Sequence, residues 1–191
     1  MKEEVIDQRE IQKLGGVYAK YPSAYIIKKL LSHIKAEKVL DVTYGVGRFY
    51  KLYRPYLLIA ADVRAWNWIV TPDIFILKPV WGVKEVLDKL RLLGFNITFD
   101  CLVVDPPYGK EYHSRDWYSY LVGSPELIIN SAFKLAEELD IPYVLLHYNK
   151  PPEPKGWKPI YTIKLIYVAR YLNNPDLRPS PYILYRREGN A

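Results

Sequence analysis

Three short apolar runs in the first 105 residues each close on an aspartate. Val39-Leu40 leads to Asp41, Leu57-Leu58-Ile59-Ala60-Ala61 to Asp62, and Leu102-Val103-Val104 to Asp105. Unbroken apolar runs bounded by turn residues read as strands buried on both faces, the pattern of a parallel sheet. A short run over 74–78 and the segment Pro142-Tyr143-Val144-Leu145-Leu146-His147 add two more strands. Between the strands the apolar period lengthens to that of a helix. Tyr25, Ile26, Leu30, Leu31 and Ile34 share one face over 22–35. Val83, Val86, Leu87, Leu90 and Leu93 mark a second helix, stopped by Gly94. Ser124-Pro125-Glu126 opens a third, with proline in its first turn, running to about Leu139. Beyond it, Tyr161–Tyr171 and Tyr182–Arg186 alternate as two strands that close the sheet. The alternation of strands and helices predicts a doubly wound, mostly parallel α/β sheet. The 191 residues fit one such domain, spanning 1–191, with no room for a second large one.

Half of the residues are hydrophobic, which sets the chain among folded rather than disordered proteins. Met1-Lys2-Glu3-Glu4 is charged where a secretory signal is apolar. No apolar stretch approaches the about 18 residues of a membrane span. Cys101 is the single cysteine, so no internal disulfide is expected, and its place in an apolar run marks it as a core residue. No Cys or His cluster has zinc spacing, and no metal is expected. Together these features predict a soluble cytoplasmic protein. The 27 basic and 21 acidic residues leave a net charge of +6, compatible with a polyanionic partner without requiring one.

The strand-end acids matter because open α/β sheets bind ligands outside the carboxyl ends of their strands. Gly45 and Gly47 follow Asp41, permitting a tight turn and close approach of a ligand to the backbone. A helix after that turn would aim its first amide groups at a ligand carboxylate, while Asp41 accepts a hydrogen bond from an ammonium group. Asp62 stands where such folds hold ribose hydroxyls; a helix cap is the plainer role for it. After Asp105, Pro106 and Pro107 carry no N–H, so their carbonyls can face a ligand without ladder pairing, and Tyr108 adds a flat ring. An acceptor, a carbonyl and a stacking ring suit a planar group bearing an amino substituent, such as an exposed base. A simple turn is the alternative, since Asp and Pro are ordinary turn residues.

Asp105-Pro106-Pro107-Tyr108 resembles motif IV of the amino-methyltransferases that use S-adenosylmethionine, above all those acting on adenine N6. Asp41-x-x-x-Gly45-x-Gly47 resembles their motif I, with Thr43 where adenine enzymes commonly carry phenylalanine. Gly15-Gly16-Val17-Tyr18-Ala19-Lys20-Tyr21-Pro22-Ser23, read as a loop, resembles motif X, which closes over the cofactor. The order X, I, IV covers nearly the whole chain and implies the Rossmann-like class I methyltransferase fold, in which the closing pair is antiparallel and the last strand runs against a mostly parallel sheet. It implies S-adenosylmethionine as cofactor, held by Tyr18, Tyr21, Asp41, Thr43, Gly45, Gly47, Asp62 and Val63. Asp105, Pro106, Pro107 and Tyr108 become the expected catalytic residues. Adenine N6 in DNA or RNA is the expected acceptor. Cytosine N4 and guanine N2 offer a similar amine, and a non-catalytic nucleic-acid-binding subunit of this fold is a further alternative. DNA enzymes with this motif order usually carry a separate target-recognition domain. None is expected here, which points to a protein partner or to a structured RNA selected by its shape.

Lys110, Tyr112, His113, Arg115, Trp117, Tyr118 and Tyr120 follow Tyr108 closely, and a loop there would overhang the catalytic end of the sheet. Cations interleaved with rings suit phosphates and stacked bases. Lys110, Tyr112, Arg115 and Trp117 are therefore the candidate substrate-binding residues, with a packed helix beginning at Trp117 as the competing view. His147 and the proline-rich loop 151–159 fall on the same sheet edge, within reach of a substrate. If the loop grips nucleic acid, affinity falls linearly with salt on log–log axes, and losing Lys110 or Arg115 reduces the slope by about one. Trp117→Ala then costs about 1–3 kcal/mol of binding with little change in slope. A packed helix instead gives a lower melting temperature and unchanged affinity. Titrations across salt, paired with melting curves, decide between the two.

Overall fold

The computed structural model describes residues 1–106, 124–166 and 180–189. Strands β1 (Lys2–Asp7), β2 (Lys38–Asp41), β3 (Leu57–Asp62) and β4 (Ile74–Leu77) precede β5 (Cys101–Val104), β6 (Tyr143–His147), β7 (Trp157–Ile166) and β8 (Ser180–Arg187). They form one sheet in the order β1-β7-β8-β6-β5-β2-β3-β4. β8 runs antiparallel to β6 and β7, and the other pairings are parallel. The helices are α1 (Gln8–Lys13), α2 (Gly16–Lys20), α3 (Pro22–His33), α4 (Val80–Leu92) and α5 (Pro125–Glu138). From β2 the chain first moves outward through β3 and β4, then crosses to β5 and β6 on the other side. The crevice of a doubly wound sheet lies at this reversal, between β2 and β5.

Alternate strand residues enter two separate cores. Leu40, Ile59, Ala61, Leu102, Val104, Val144 and Leu146 pack with Val83 and Leu87 of α4 and Ile129 and Phe133 of α5. Val39, Leu58, Ala60, Cys101, Val103 and Leu145 pack on the opposite face with Ile26, Ile27 and Leu30 of α3 and with Phe49. Burial on both faces explains why the strands are apolar at successive positions. It also sets the phase of the strand ends, because side chains two apart share a face. Two residues beyond Val39, Ala60, Val103 and Leu145 stand Asp41, Asp62, Asp105 and His147, all at the carboxyl edge and in phase with the α3 side.

Three local features differ from the sequence expectation, and β1 is a strand that the apolar pattern did not indicate. It forms despite its charged start, because Ile6 is buried and Glu4 accepts hydrogen bonds from Tyr161 and Lys29, both at 2.6 Å. Its register pairs Lys2 with Tyr161 and Asp7 with Ile166. The loop expected over Gly15–Ser23 holds α2 and the first turn of α3, with Pro22 at the start of α3. The helix expected after Gly47 is a 3-10 turn over Arg48–Lys51. Residues 48–56 are all that separates Gly47 from β3, and Pro55 among them cannot extend a helix. The proline-rich loop is shorter than expected, since β7 begins at Trp157. Pro159 fits there because it lies outside the β1 pairing, beside a register shift to Tyr161. Positions 167–171 of the expected strand lie outside the described residues.

Among the described residues no helix is long and apolar enough to cross a membrane. Leu40 is fully buried at the centre of the sheet, whereas Leu92 at the end of α4 is 87% exposed. Leu40→Ala is expected to cost about 2–5 kcal/mol by transfer and cavity effects. Leu92→Ala should stay within about 0.5 kcal/mol of the parent. Urea unfolding midpoints of the two variants check this assignment of the core.

Candidate active site

Thr43 joins the two halves of the crevice. Its N–H donates to Asp41 Oδ1 at 3.0 Å, and its hydroxyl oxygen accepts from the Asp105 N–H at 2.6 Å. The loop after β2 is thus tied to the loop after β5, an arrangement a phenylalanine at this position could not make. The second oxygen of Asp41 accepts from the Tyr50 hydroxyl at 2.8 Å. Tyr50 reaches it from the 3-10 turn, so that short element does local work despite its length. Asp41 is 2% exposed. Burial pushes its carboxyl up to about 7, opposed by the Thr43 and Tyr50 donors and assisted by the charges of Asp105 and Asp62.

The glycine turn is held by the neighbouring acid. Gly45 N–H donates to Asp62 Oδ2 at 2.8 Å, and the Arg64 N–H reaches Asp62 Oδ1 at 3.3 Å. Burial raises the Asp62 carboxyl above its ordinary range, against these backbone donors. Gly45 and Gly47 both take positive φ, 55° and 72°. At Gly47 a Cβ would strike the Tyr44 hydroxyl and the Val70 carbonyl, which hydrogen-bond each other at 2.6 Å. Gly47 is therefore required by packing. A Cβ on Gly45 would meet nothing within 4 Å, so space is open above the turn. The helix N-terminus expected to receive a carboxylate is replaced by this open turn.

Asp105 meets a side chain from the adjacent strand. Its Oδ1 lies 2.9 Å from His147 Nδ1, the two side chains being 19% and 9% exposed. The imidazole stacks on Tyr182 with ring centroids 3.8 Å apart and planes 8° from parallel. Phe49 closes on the same imidazole edge-on at 6.4 Å. Tyr182 in turn hydrogen-bonds Ser23 Oγ of α3 at 3.0 Å. Sequence reasoning singled out His147 but missed its contact with Asp105, and it missed Tyr50 and Tyr182 altogether. Strand phase sets Leu145 and His147 on one face, while the contact itself depends on β6 lying beside β5.

The remaining expected residues divide by position. Asp41, Thr43, Gly45, Gly47, Asp62 and Asp105 converge on the β2–β5 end of the sheet, with Pro106 next to Asp105 in the chain. Val63 packs against the α4–α5 core. Tyr18 and Tyr21 belong to the α2–α3 face, where Tyr18 meets Tyr25 at 6.0 Å and Lys20 lies 5.5 Å from the Tyr21 ring. Pro107, Tyr108, Lys110, Tyr112, Arg115 and Trp117 lie outside the described residues. Cys101 is buried in β5, and burial pushes its thiol far up, as befits a core residue. Among the described residues no group of three or more His, Cys, Asp or Glu side chains gathers to hold a metal ion.

Among solved structures, the N-methyltransferase NodS from Bradyrhizobium japonicum WM9 is similar with a TM-score of 0.52 at 11% identity, covering 88% of this chain and 96% of that one. The fold is that of the class I methyltransferases. A putative O-methyltransferase from Klebsiella pneumoniae gives a TM-score of 0.44 at 9% identity, over 87% of this chain and 80% of that one. No family model matches the chain, and no curated protein matches its sequence. At such identities the likeness is one of fold.

The raised carboxyl of Asp41 gives stability a defined pH dependence. The folded state holds the proton to about 7, against an ordinary aspartate value of 3.8. Between those values the native state binds more protons than the unfolded one, so stability falls as pH rises, by up to about 1.4 kcal/mol per unit. Below 3.8 the contribution is complete, and above about 7 it is lost. Asp62 adds to the same trend. Asp41→Asn should remove most of the decline, which melting temperatures from pH 4 to 8 will register.

Proposed function

We propose that the protein is an S-adenosylmethionine-dependent methyltransferase that modifies an exocyclic amine of a nucleic-acid base, with adenine N6 as the first choice. The observation that carries this reading is the placement of Asp105-Pro106 beside the glycine turn of Asp41, at the strand reversal of the sheet. Two features favour the cofactor. Three carboxylates, Asp41, Asp62 and Asp105, sit close enough for each of the others to raise Asp41, a setting that favours a cationic ligand. The space above Gly45 lets such a ligand approach the backbone. Asp41 and the glycine turn would hold the amino-acid portion, Asp62 and Val63 the ribose end, and Tyr18 and Tyr21 the side nearest α3.

When bound, S-adenosylmethionine supplies an electrophilic methyl group on a sulfonium. The residues of the chain then have a positioning task. The lone pair of an exocyclic amine is delocalised into its ring and is a poor nucleophile. Asp105 and the Pro106 carbonyl each accept one N–H, which favours a pyramidal nitrogen with its lone pair exposed. Tyr108 stacks on the extruded base, and Asp105 accepts the proton released after transfer. Lys110, Tyr112, Arg115 and Trp117 are the proposed contacts to the nucleic acid. Guanine N2 and cytosine N4 present similar amines, and nucleoside mass spectrometry of the product distinguishes the three.

S-adenosylmethionine should raise the melting temperature by mass action, and a bulky residue at Gly45 should abolish that shift. Labelled methyl should pass to total DNA or total RNA. Asp105→Ala should reduce transfer by about two to four orders of magnitude while cofactor still binds. A melting temperature unmoved by saturating cofactor would sink the cofactor assignment, and near-normal turnover of Asp105→Ala would sink the mechanism.

A further inference from the structure

We infer that His147 is the positioning residue for Asp105: it occupies one carboxylate oxygen and so dedicates the other to the acceptor amine. This rests on the proposed methyl transfer and adds to it a residue that the motif resemblance does not supply. Asp105 stands just past β5, and its described backbone anchor is the hydrogen bond from its N–H to Thr43 Oγ1. That bond fixes the main chain and leaves the carboxylate able to turn about Cα–Cβ and Cβ–Cγ. A carboxylate that turns offers an amine two equivalent oxygens in changing directions. His147 Nδ1, 2.9 Å from Oδ1, removes this freedom.

The proposed role requires the Nδ1-protonated tautomer, in which the imidazole donates to Oδ1. The imidazole is itself held on more than one side. Tyr182 lies flat against it at 3.8 Å, and Phe49 meets it edge-on. The Tyr182 hydroxyl is anchored to Ser23 at 3.0 Å. Ser23, Tyr182, His147 and Asp105 thus form a continuous file from α3 to the carboxyl end of β5. A histidine serving only the core would have no need to meet the most exposed of the three strand-end acids.

The test uses His147→Leu, His147→Asn, Asp105→Ala and the double variant Asp105→Ala/His147→Leu. Each is assayed with S-adenosylmethionine and whichever of total DNA or total RNA accepts methyl from the parent. His147→Leu should lower kcat on the order of tenfold to hundredfold, the cost of a misdirected contact. Its Kd for S-adenosylmethionine should stay within about twofold, since the loss lies in positioning rather than cofactor binding. His147→Asn, whose amide N–H can stand in for Nδ1–H, should recover most of the rate. The double variant should be no slower than Asp105→Ala, because the imidazole acts through that carboxylate. Nitrogen-15 spectra of the unliganded parent should show the Nδ1-protonated tautomer, with the His147 signal assigned by its loss in His147→Leu. That signal should shift in Asp105→Ala. Full kcat in His147→Leu, additive losses in the double variant, or an Nε2-protonated tautomer overturns the inference while methyl transfer stands. A parent that neither binds S-adenosylmethionine nor transfers methyl overturns both.

Discussion

Burial of both faces of the parallel strands is the constraint on which the site depends. β2, β3, β5 and β6 lie between two cores, and their interior positions are apolar and buried on both faces. The first position that can carry a charge is the strand end, where the ladder stops and the layers part. Asp41, Asp62, Asp105 and His147 all stand there, in the same phase of the pleat. The site follows from the sheet because the sheet excludes its residues from elsewhere.

Placing several acids together creates an electrostatic difficulty, and the chain answers it with nearby donors. Asp41 is met by the Thr43 N–H and the Tyr50 hydroxyl, Asp62 by the backbone N–H groups of Gly45 and Arg64, and Asp105 by His147. These bonds do not cancel the cost of burial, since Asp41 and Asp62 are still pushed toward their neutral forms. An incoming cation would relieve that repulsion more fully than the protein does. The same donors make the loops rigid, so the cluster is organised before anything binds.

Legibility in the sequence followed sequence distance. β2, β3, β5 and β6 were readable because two-sided burial writes itself as unbroken apolar runs, and Asp41, Asp62 and Asp105 were readable as the residues that end those runs. β8 was readable as a strand over Tyr182–Arg186, and its antiparallel direction came from the family resemblance rather than from the residues. β1 was hidden because Lys2, Glu3 and Glu4 look like a solvated end, and the partners that make it a strand lie in β7. The 3-10 turn was hidden for a different reason: glycines announce a turn but not the length of helix that the next strand leaves room for. The contact of His147 with Asp105 spans 42 positions, and the clasp of Thr43 on Asp105 spans 62. Nothing local encodes either. Each became visible only when the strand order set β6 beside β5 and β5 beside β2.

The parallel pairing of β1 with β7 imposes an order on biogenesis. β1 precedes β2 to β6 in the chain, yet its partner spans Trp157–Ile166, so all of those strands must be made before the two can meet. The strands β2 to β6 can assemble while β1 waits, with Ile6 uncovered until β7 has emerged. Closing so long a loop is slow compared with forming local pairs. The charged residues Lys2, Glu3 and Glu4 suit a strand with that history. They discourage pairing with other nascent chains during the wait, and afterwards they guard the outer edge of the finished sheet.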